Sequence, residues 1–298
     1  MKIIKTLSLL TYLLVTTKVY ATESGADNIA SGADTFFVVT PNINQVPDNT
    51  FAYNLYYEHY YSSHFANKNM KKFNVSSKLW MSRFDYISGI RVFNARLGAY
   101  VVLPYVEKRI HLGGRGNSIS NFGDLTFAPL LVWGPTPAMN TALSLEITSP
   151  TGAYKKEQLA NSGNGFFTIK PQLAFTWLPT EKSELSMKVD YNFNLKNHKS
   201  NYTSGQVFHF DYSASYEVYD GLHIGVNGFY LIQTTEDKKD GQVYMNGFKG
   251  RSIGFGPAIH YELPKHITVQ FRFLKEFKVR NRPSGHEIWF KVAMPIGV

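Results

Sequence analysis

The sequence predicts an all-β protein: a twelve-stranded antiparallel transmembrane barrel with short turns at one end and long loops at the other. Three observations predict it. The first is alternation. Between 182 and 195, Leu185, Met187, Val189, Tyr191, Phe193 and Leu195 alternate with Glu184, Ser186, Lys188, Asp190, Asn192 and Asn194. Between 205 and 219, Phe208, Phe210, Tyr212, Tyr216 and Val218 alternate with His209, Asp211, Ser213, Ser215 and Glu217. A sustained period of two means extended strands with one apolar and one polar face, and these runs exceed the roughly five or six residues of a soluble strand. The second is the sorting of the connections, long after odd strands and short after even ones. The third is a polar face rich in charges of both signs. Arg or Lys facing hydrocarbon at midplane costs about 2–4 kcal/mol, so these groups must line an interior.

The chain begins with a leader. Lys2 and Lys5 precede an apolar stretch from Ile3 to Val15, and Val19-Tyr20-Ala21 resembles a cleavage site, so 1–21 reads as a signal peptide and the chain as exported. The formal charge of +9 falls by the leader lysines, Lys2, Lys5 and Lys18, to +6. The 298 residues include no cysteine, which rules out a disulfide framework in an exported chain. Mean hydropathy is −0.21, and no 18-residue apolar run follows the leader. That excludes helical spans but not barrel strands, whose hydropathy is hidden by alternation. A closed sheet in lipid supplies the stability instead, because every backbone donor and acceptor is paired.

Residues 22–48 are rich in Ser, Gly, Ala, Asn and Asp, with Phe36 to Val39 as their only apolar patch. They read as an irregular arm: either a disordered leader or a plug folded into the barrel. The barrel itself is expected over 49–298. Strands are predicted at 50–61, 74–86, 90–106, 122–134, 139–149, 164–178, 182–195, 205–219, 222–234, 249–262, 266–277 and 286–296. Long polar linkers follow the odd strands, the eleventh being KVRNRPSG. Short turns follow the even ones: Ser88-Gly89, Gly134-Pro135-Thr136-Pro137, Pro179-Thr180, Asp220-Gly221 and Leu263-Pro264-Lys265. This alternation predicts an outer-membrane barrel with both termini in the periplasm, against a soluble barrel of lipocalin type, which needs fewer strands and a one-sided core. Pro129, Pro171 and Pro257 fall inside strands, where bulges or bends are expected. The last strand, GHEIWFKVAMPIGV, lacks the terminal aromatic common in such barrels.

The expected lipid face includes Phe51, Tyr53, Leu55, Tyr57, Phe167, Ile169, Leu173, Phe175, Trp177, Phe255, Ile259, Phe271 and Phe290, with Trp133, Trp177, Tyr216 and Tyr261 at the interfaces. The expected interior face carries Glu58, Arg96, Asp124, Glu146, Lys170, Lys188, Asp190, His209, Asp211, Glu217, Arg272, Glu276, Glu287 and Lys291, with Arg251 at the rim. Pairing of these charges to brace the wall competes with selection of a passing solute.

Several stretches resemble one family in order and spacing: LGAYVVLP (97–104), GDLTFAPLLVWG (123–134), PTGAY with LANSGNGFFTIKPQLAFTWL (150–178), YTSGQVFHFDYSASY (202–216), GVNGFYLIQTTEDKKDG (225–241) and GFGPAIHYE (254–262). The ordered set resembles the outer-membrane proteins linked to phenol meta-cleavage pathways and covers less than half of the mature chain. The resemblance implies a bacterial outer-membrane barrel that lets small, poorly water-soluble or aromatic compounds pass, with no catalytic residues. On the matched stretches and their parity, Lys170, Lys188, Asp190, His209, Asp211, Gln233, Arg272 and Glu276 are the expected pore-lining groups. The competing reading is a structural or surface-interaction barrel with a closed lumen.

Enzymatic signals are weak. His198-Lys199-Ser200-Asn201 echoes the His-x-Ser pair of an outer-membrane phospholipase, but it falls in a polar loop rather than on a rigid lipid-facing strand. His59 with His64 and His260 with His266 match no metal-ligand pattern, and no metal or cofactor is expected. GGRG at 113–116 lacks the helix and lysine of a phosphate loop. Basic loop residues (Lys68, Lys71, Lys72, Lys108, Arg109, Arg115, Lys155, Lys156, Lys238 and Lys239) are either solvated charge or a contact with anionic lipopolysaccharide. The expected partners are therefore outer-membrane lipid and lipopolysaccharide, a small hydrophobic solute and the barrel-assembly machinery, and the compartment excludes nucleic acid.

Overall fold

The computed structural model describes residues 29–66 and 72–296. The expected leader, the start of the arm, Lys68 and Lys71 lie outside these residues. Twelve antiparallel strands form the wall: β1 Thr50–Phe65, β2 Asn74–Val92, β3 Ala95–Leu112, β4 Thr126–Thr136, β5 Met139–Thr148, β6 Thr168–Thr180, β7 Ser183–Asn194, β8 Val207–Tyr219, β9 Leu222–Gln233, β10 Arg251–Leu263, β11 Ile267–Arg280 and β12 Pro283–Ile296. Each strand pairs with its neighbours in the chain, and β1 pairs with β12, so the sheet closes and leaves no edge in the wall. Closure is what lipid demands, since an unpaired backbone group there costs several kcal/mol.

The strands fall where alternation places them, but several connections differ. Ser88-Gly89 is not a turn. It sits in a bulge of β2, where the register shifts between Ile87 and Arg91, and the chain reverses at Phe93-Asn94, both with positive φ. The bulge is held by the Ser88 hydroxyl, which donates to Leu97 O, and a Cβ on Gly89 would press on Asp48 of the arm. The next two turns also shift outward past a bulge, to Pro137-Ala138 and Glu181-Lys182. Asp220-Gly221 turns as expected, with Gly221 at φ 70°.

On the opposite end, the eleventh linker shrinks to Asn281-Arg282, because β11 runs on to Arg280, opposite Arg251 of β10, and β12 begins at Pro283, opposite Phe65 of β1. The third linker is not a loop throughout: Arg115–Phe122 folds back on β3 as a ribbon, turning at Gly113-Gly114 (φ 59° and 87°). Left-handed turn geometry is thus the use of GGRG. The three strand prolines do not produce bulges. Around Pro129, Pro171 and Pro257 the ladder to the following strand omits two pairings, yet its offset is unchanged on either side: Phe127↔Ile147 then Leu130↔Ser144, Ile169↔Phe193 then Gln172↔Asp190, Phe255↔Lys275 then Ala258↔Arg272. A proline lacks one N–H, so it forfeits a bond to one neighbour and need not change the register.

Outside, Phe51, Ile169, Leu173, Trp177, Phe255, Ile259, Phe271 and Phe290 are exposed to the lipid side. One cross-strand row runs Phe271↔Phe290↔Tyr57↔Trp80↔Tyr105↔Phe122, with ring centroids 5.3 to 6.1 Å apart from Tyr57 onward. Inside, polar and charged groups are buried. Among them lies an apolar cluster of Tyr56, Val207, Phe229, Leu231, Leu274 and Trp289 that packs on Ala33 of the arm.

Candidate lumen site

Backbone N–H groups of the arm are bound by side chains of the wall rather than by a strand ladder. Gly32 N–H donates to Asp211 Oδ1 (2.8 Å), Phe36 to Ser213 Oγ (2.9 Å), Phe37 to Glu184 Oε1 (3.1 Å), Val39 to Thr176 Oγ1 (3.0 Å) and Ile43 to Asn140 Oδ1 (3.3 Å). The acceptors advance from β8 through β7 and β6 to β5, so the arm winds around the inner wall. Phe36 and Phe37 both hold positive φ (38° and 48°). Left-handed backbone costs a bulky residue about 1–2 kcal/mol, and here it turns two successive N–H groups toward the same wall.

Arg96 of β3 anchors the far end of the arm. Its fully buried guanidinium donates to Ile43 O, Val46 O, Pro47 O and Asp48 Oδ1 at 2.6 to 3.0 Å. The fork geometry of arginine matches several acceptors at once, which a lysine does not.

Asp34 is the hub at mid-lumen. It accepts from Tyr56 OH (3.0 Å) and Lys188 Nζ (3.1 Å), and Arg83 Nη1 lies 3.7 Å away. Burial alone would push its carboxyl up, but Lys188, Arg83 and Lys291 outweigh that and hold it well below the usual carboxylate range. Lys188 also reaches Asp211 (3.3 Å). His209 bridges Asp190 through Nδ1 (2.8 Å) and Asp211 through Nε2 (3.1 Å). On the other side Arg83 pairs with Asp85 (2.7 Å) and stacks 3.8 Å over the Tyr100 ring. Tyr100 donates to Glu146, which takes Lys170 at 2.6 Å. The result is a belt of mutually compensated charges around the arm, each ion desolvated but paired.

Of the eight expected pore-lining groups, Lys188, Asp190, His209 and Asp211 share this belt and Lys170 adjoins it. Arg272, on β11, donates through Nη1 to Ala33 O (2.6 Å) and Thr35 Oγ1 (2.9 Å) of the arm. Gln233 and Glu276 lie toward the loop end. Gln233 ties Asp237 and Gly250, and Glu276 accepts from Tyr60, Ser252 and Gly285. Two other expected interior charges act as local braces: Asp124 accepts from Gly152 and Asn164 N–H, and Glu217 from Gly221 N–H at its turn. Sequence reasoning missed Asp34, Arg83, Tyr100 and the apolar cluster. Parity could have found Arg83, on the face of β2 shared by Leu79, Met81 and Asp85, and likewise Leu274 between Arg272 and Glu276. Asp34 sits in an aperiodic stretch and had no such signal. No group of three or more His, Asp or Glu placed to hold a metal exists among the described residues.

Residues 62–292 match the family model described as "Putative MetA-pathway of phenol degradation". The chain belongs to that family. No curated protein matches it. Among solved structures, an outer membrane channel from Pseudomonas putida F1 aligns over 87% of this chain and 100% of its own, with 16% identity and a TM-score of 0.74, which shows a shared fold. Weaker likenesses include the NanC porin (9% identity, 81% of this chain and 97% of its own, TM-score 0.42). A FadL homologue from Pseudomonas aeruginosa is of the same order (9%, 82% and 88%, 0.39). The closed twelve-stranded wall, its lipid-facing aromatics and the shared fold place the protein in the bacterial outer membrane as a transmembrane barrel.

Proposed function

We propose that the protein is an outer-membrane channel for small hydrophobic or aromatic compounds, gated by residues 29–48. The observation that carries this reading is the way the arm is held. Its N–H groups end on side chains of the wall, so it can leave the lumen without breaking a single strand pairing. A permanent brace would be better served by a ladder. Aromatic and apolar groups beside the charge belt, Trp289, Phe229, Leu231 and Leu274, provide a surface for a poorly soluble solute. The family's description with phenol degradation supports aromatic cargo.

The test is conductance of the purified chain in planar bilayers, with and without residues 29–40, alongside uptake of labelled aromatic compounds by cells that carry or lack the protein. The deletion is expected to give steady conductance well above the intact chain. Silence in both forms would favour a closed structural barrel, the reading supported by the density of paired interior charge.

A further inference from the structure

Most interior charges have an opposite partner; two cations on neighbouring strands do not. Arg272 is fully buried, yet no carboxylate oxygen lies within 4.0 Å of it among the described residues, and its Nε and Nη2 make no hydrogen bond. Lys291, half-buried on β12 and directly opposite Gln270, acts on Asp34 from a distance but likewise has no carboxylate oxygen within 4.0 Å among the described residues; its ammonium sits 4.9 Å over the Tyr56 ring. The carboxylates of Asp34, Asp211 and Glu287 are committed elsewhere, to Lys188, to Lys188 with His209, and to Trp289 Nε1. A desolvated guanidinium with two nitrogens free to donate is a strong anion receptor, and its fork suits a carboxylate.

The neighbourhood adds a place for a ring. Arg272 lies opposite Trp289, with its guanidinium 5.6 Å from the indole centroid, and Trp289 belongs to the apolar cluster with Phe229, Leu231 and Leu274. Across β10, Gly256 and Ala258 separate Arg272 from Asn227, whose buried amide has neither atom bonded. Arg272 and Asn227 are both fully buried with the arm seated, so a ligand reaches them only as the arm moves aside. We infer that Arg272 and Lys291 form a binding site for an aromatic carboxylate. The carboxylate takes the Arg272 fork, and the ring lies against Trp289 and Phe229. Because the same guanidinium clasps Ala33 O and Thr35 Oγ1 through Nη1, a carboxylate seated on Nε and Nη2 competes with the arm for room beside Arg272.

This rests on the channel reading above, so binding and passage are measured separately. Titration calorimetry on the detergent-solubilised full chain compares benzoate with benzyl alcohol, its neutral counterpart of similar size. Flux of both solutes is then followed in proteoliposomes. Benzoate is expected to bind at least tenfold tighter than benzyl alcohol, and Arg272→Gln to abolish that preference while leaving benzyl alcohol binding within twofold. Lys291→Gln weakens benzoate severalfold, and it serves as the second probe if Arg272→Gln fails to give a heat-modifiable, folded barrel. Arg272→Lys restores only part of the preference, because it returns the charge without the fork. Equal affinity for the two solutes in the intact chain, or a preference that survives both substitutions, overturns the site even if both solutes pass. Tight benzoate binding with no flux of either solute sustains the site and sinks the channel reading instead.

Discussion

Replacing Asp34 with asparagine removes the charge at the hub while keeping its shape. Lys188 retains Asp211 at 3.3 Å and Arg83 retains Asp85 at 2.7 Å, so neither cation is left bare. Stripping a buried ion of its sole partner costs about 3–5 kcal/mol, and with those second partners in place the loss falls to about 2 kcal/mol. That energy is stored in the seated arm alone, since Asp34 makes no wall-to-wall ladder bond. At about 1.4 kcal/mol per decade, the population of the unseated arm rises by roughly 30-fold. Hydrogen exchange read by mass spectrometry follows it directly: the amides of Gly32, Phe36, Phe37 and Val39 should exchange roughly 30-fold faster, while strand amides of β7 and β8 are unchanged. Exchange within threefold of the parent at all four arm amides would refute the claim that Asp34 seats the arm.

Three further outcomes follow from the same contacts. Lowering pH should mimic Asp34→Asn: a carboxyl held below its unfolded value of about 3.9 stabilises fully above that value, and the stabilisation is lost as pH falls through the depressed one. Arm exchange should therefore be flat from pH 7 to about 4 after correction for intrinsic rates, and rise only below. Arg96→Ala deprives four arm acceptors of their donor and should cost about 3 kcal/mol, seen as a lower urea midpoint for loss of the heat-modifiable band, with Arg96→Lys recovering a part. Leu173→Arg places a charge on the lipid face and should cost about 2–4 kcal/mol in a refolding titration into liposomes, whereas Leu173→Phe should stay near neutral.

The wall was largely legible because its signal is repeated. Parity in β7 and β8 put Lys188, Asp190, His209 and Asp211 inside, and these four make up one side of the belt. Turns were less legible, because Ser-Gly and Pro-Thr pairs punctuate a sequence equally well in a bulge. Ser88-Gly89 is a bulge because Ser88 bonds Leu97 and Gly89 makes room for Asp48, both long-range facts. The arm was least legible. Its order comes from single N–H groups meeting Ser213, Glu184 and Thr176, contacts that leave no period in the arm itself. The apolar cluster went unread for a different reason: Leu274 and Trp289 follow the polar parity of their strands, and one greasy residue in such a row passes as noise until its neighbours across the sheet are known.

Gly32 shows what this arrangement means for how the molecule is built. Its positive φ and the collision that a Cβ would make with Leu274 require a finished inner surface against which the backbone can nestle. The segment ahead of the first strand therefore settles last, after the twelve staves have joined and the Leu274 side of the cylinder exists. A stopper fitted after the cask is closed can be drawn again without loosening a hoop.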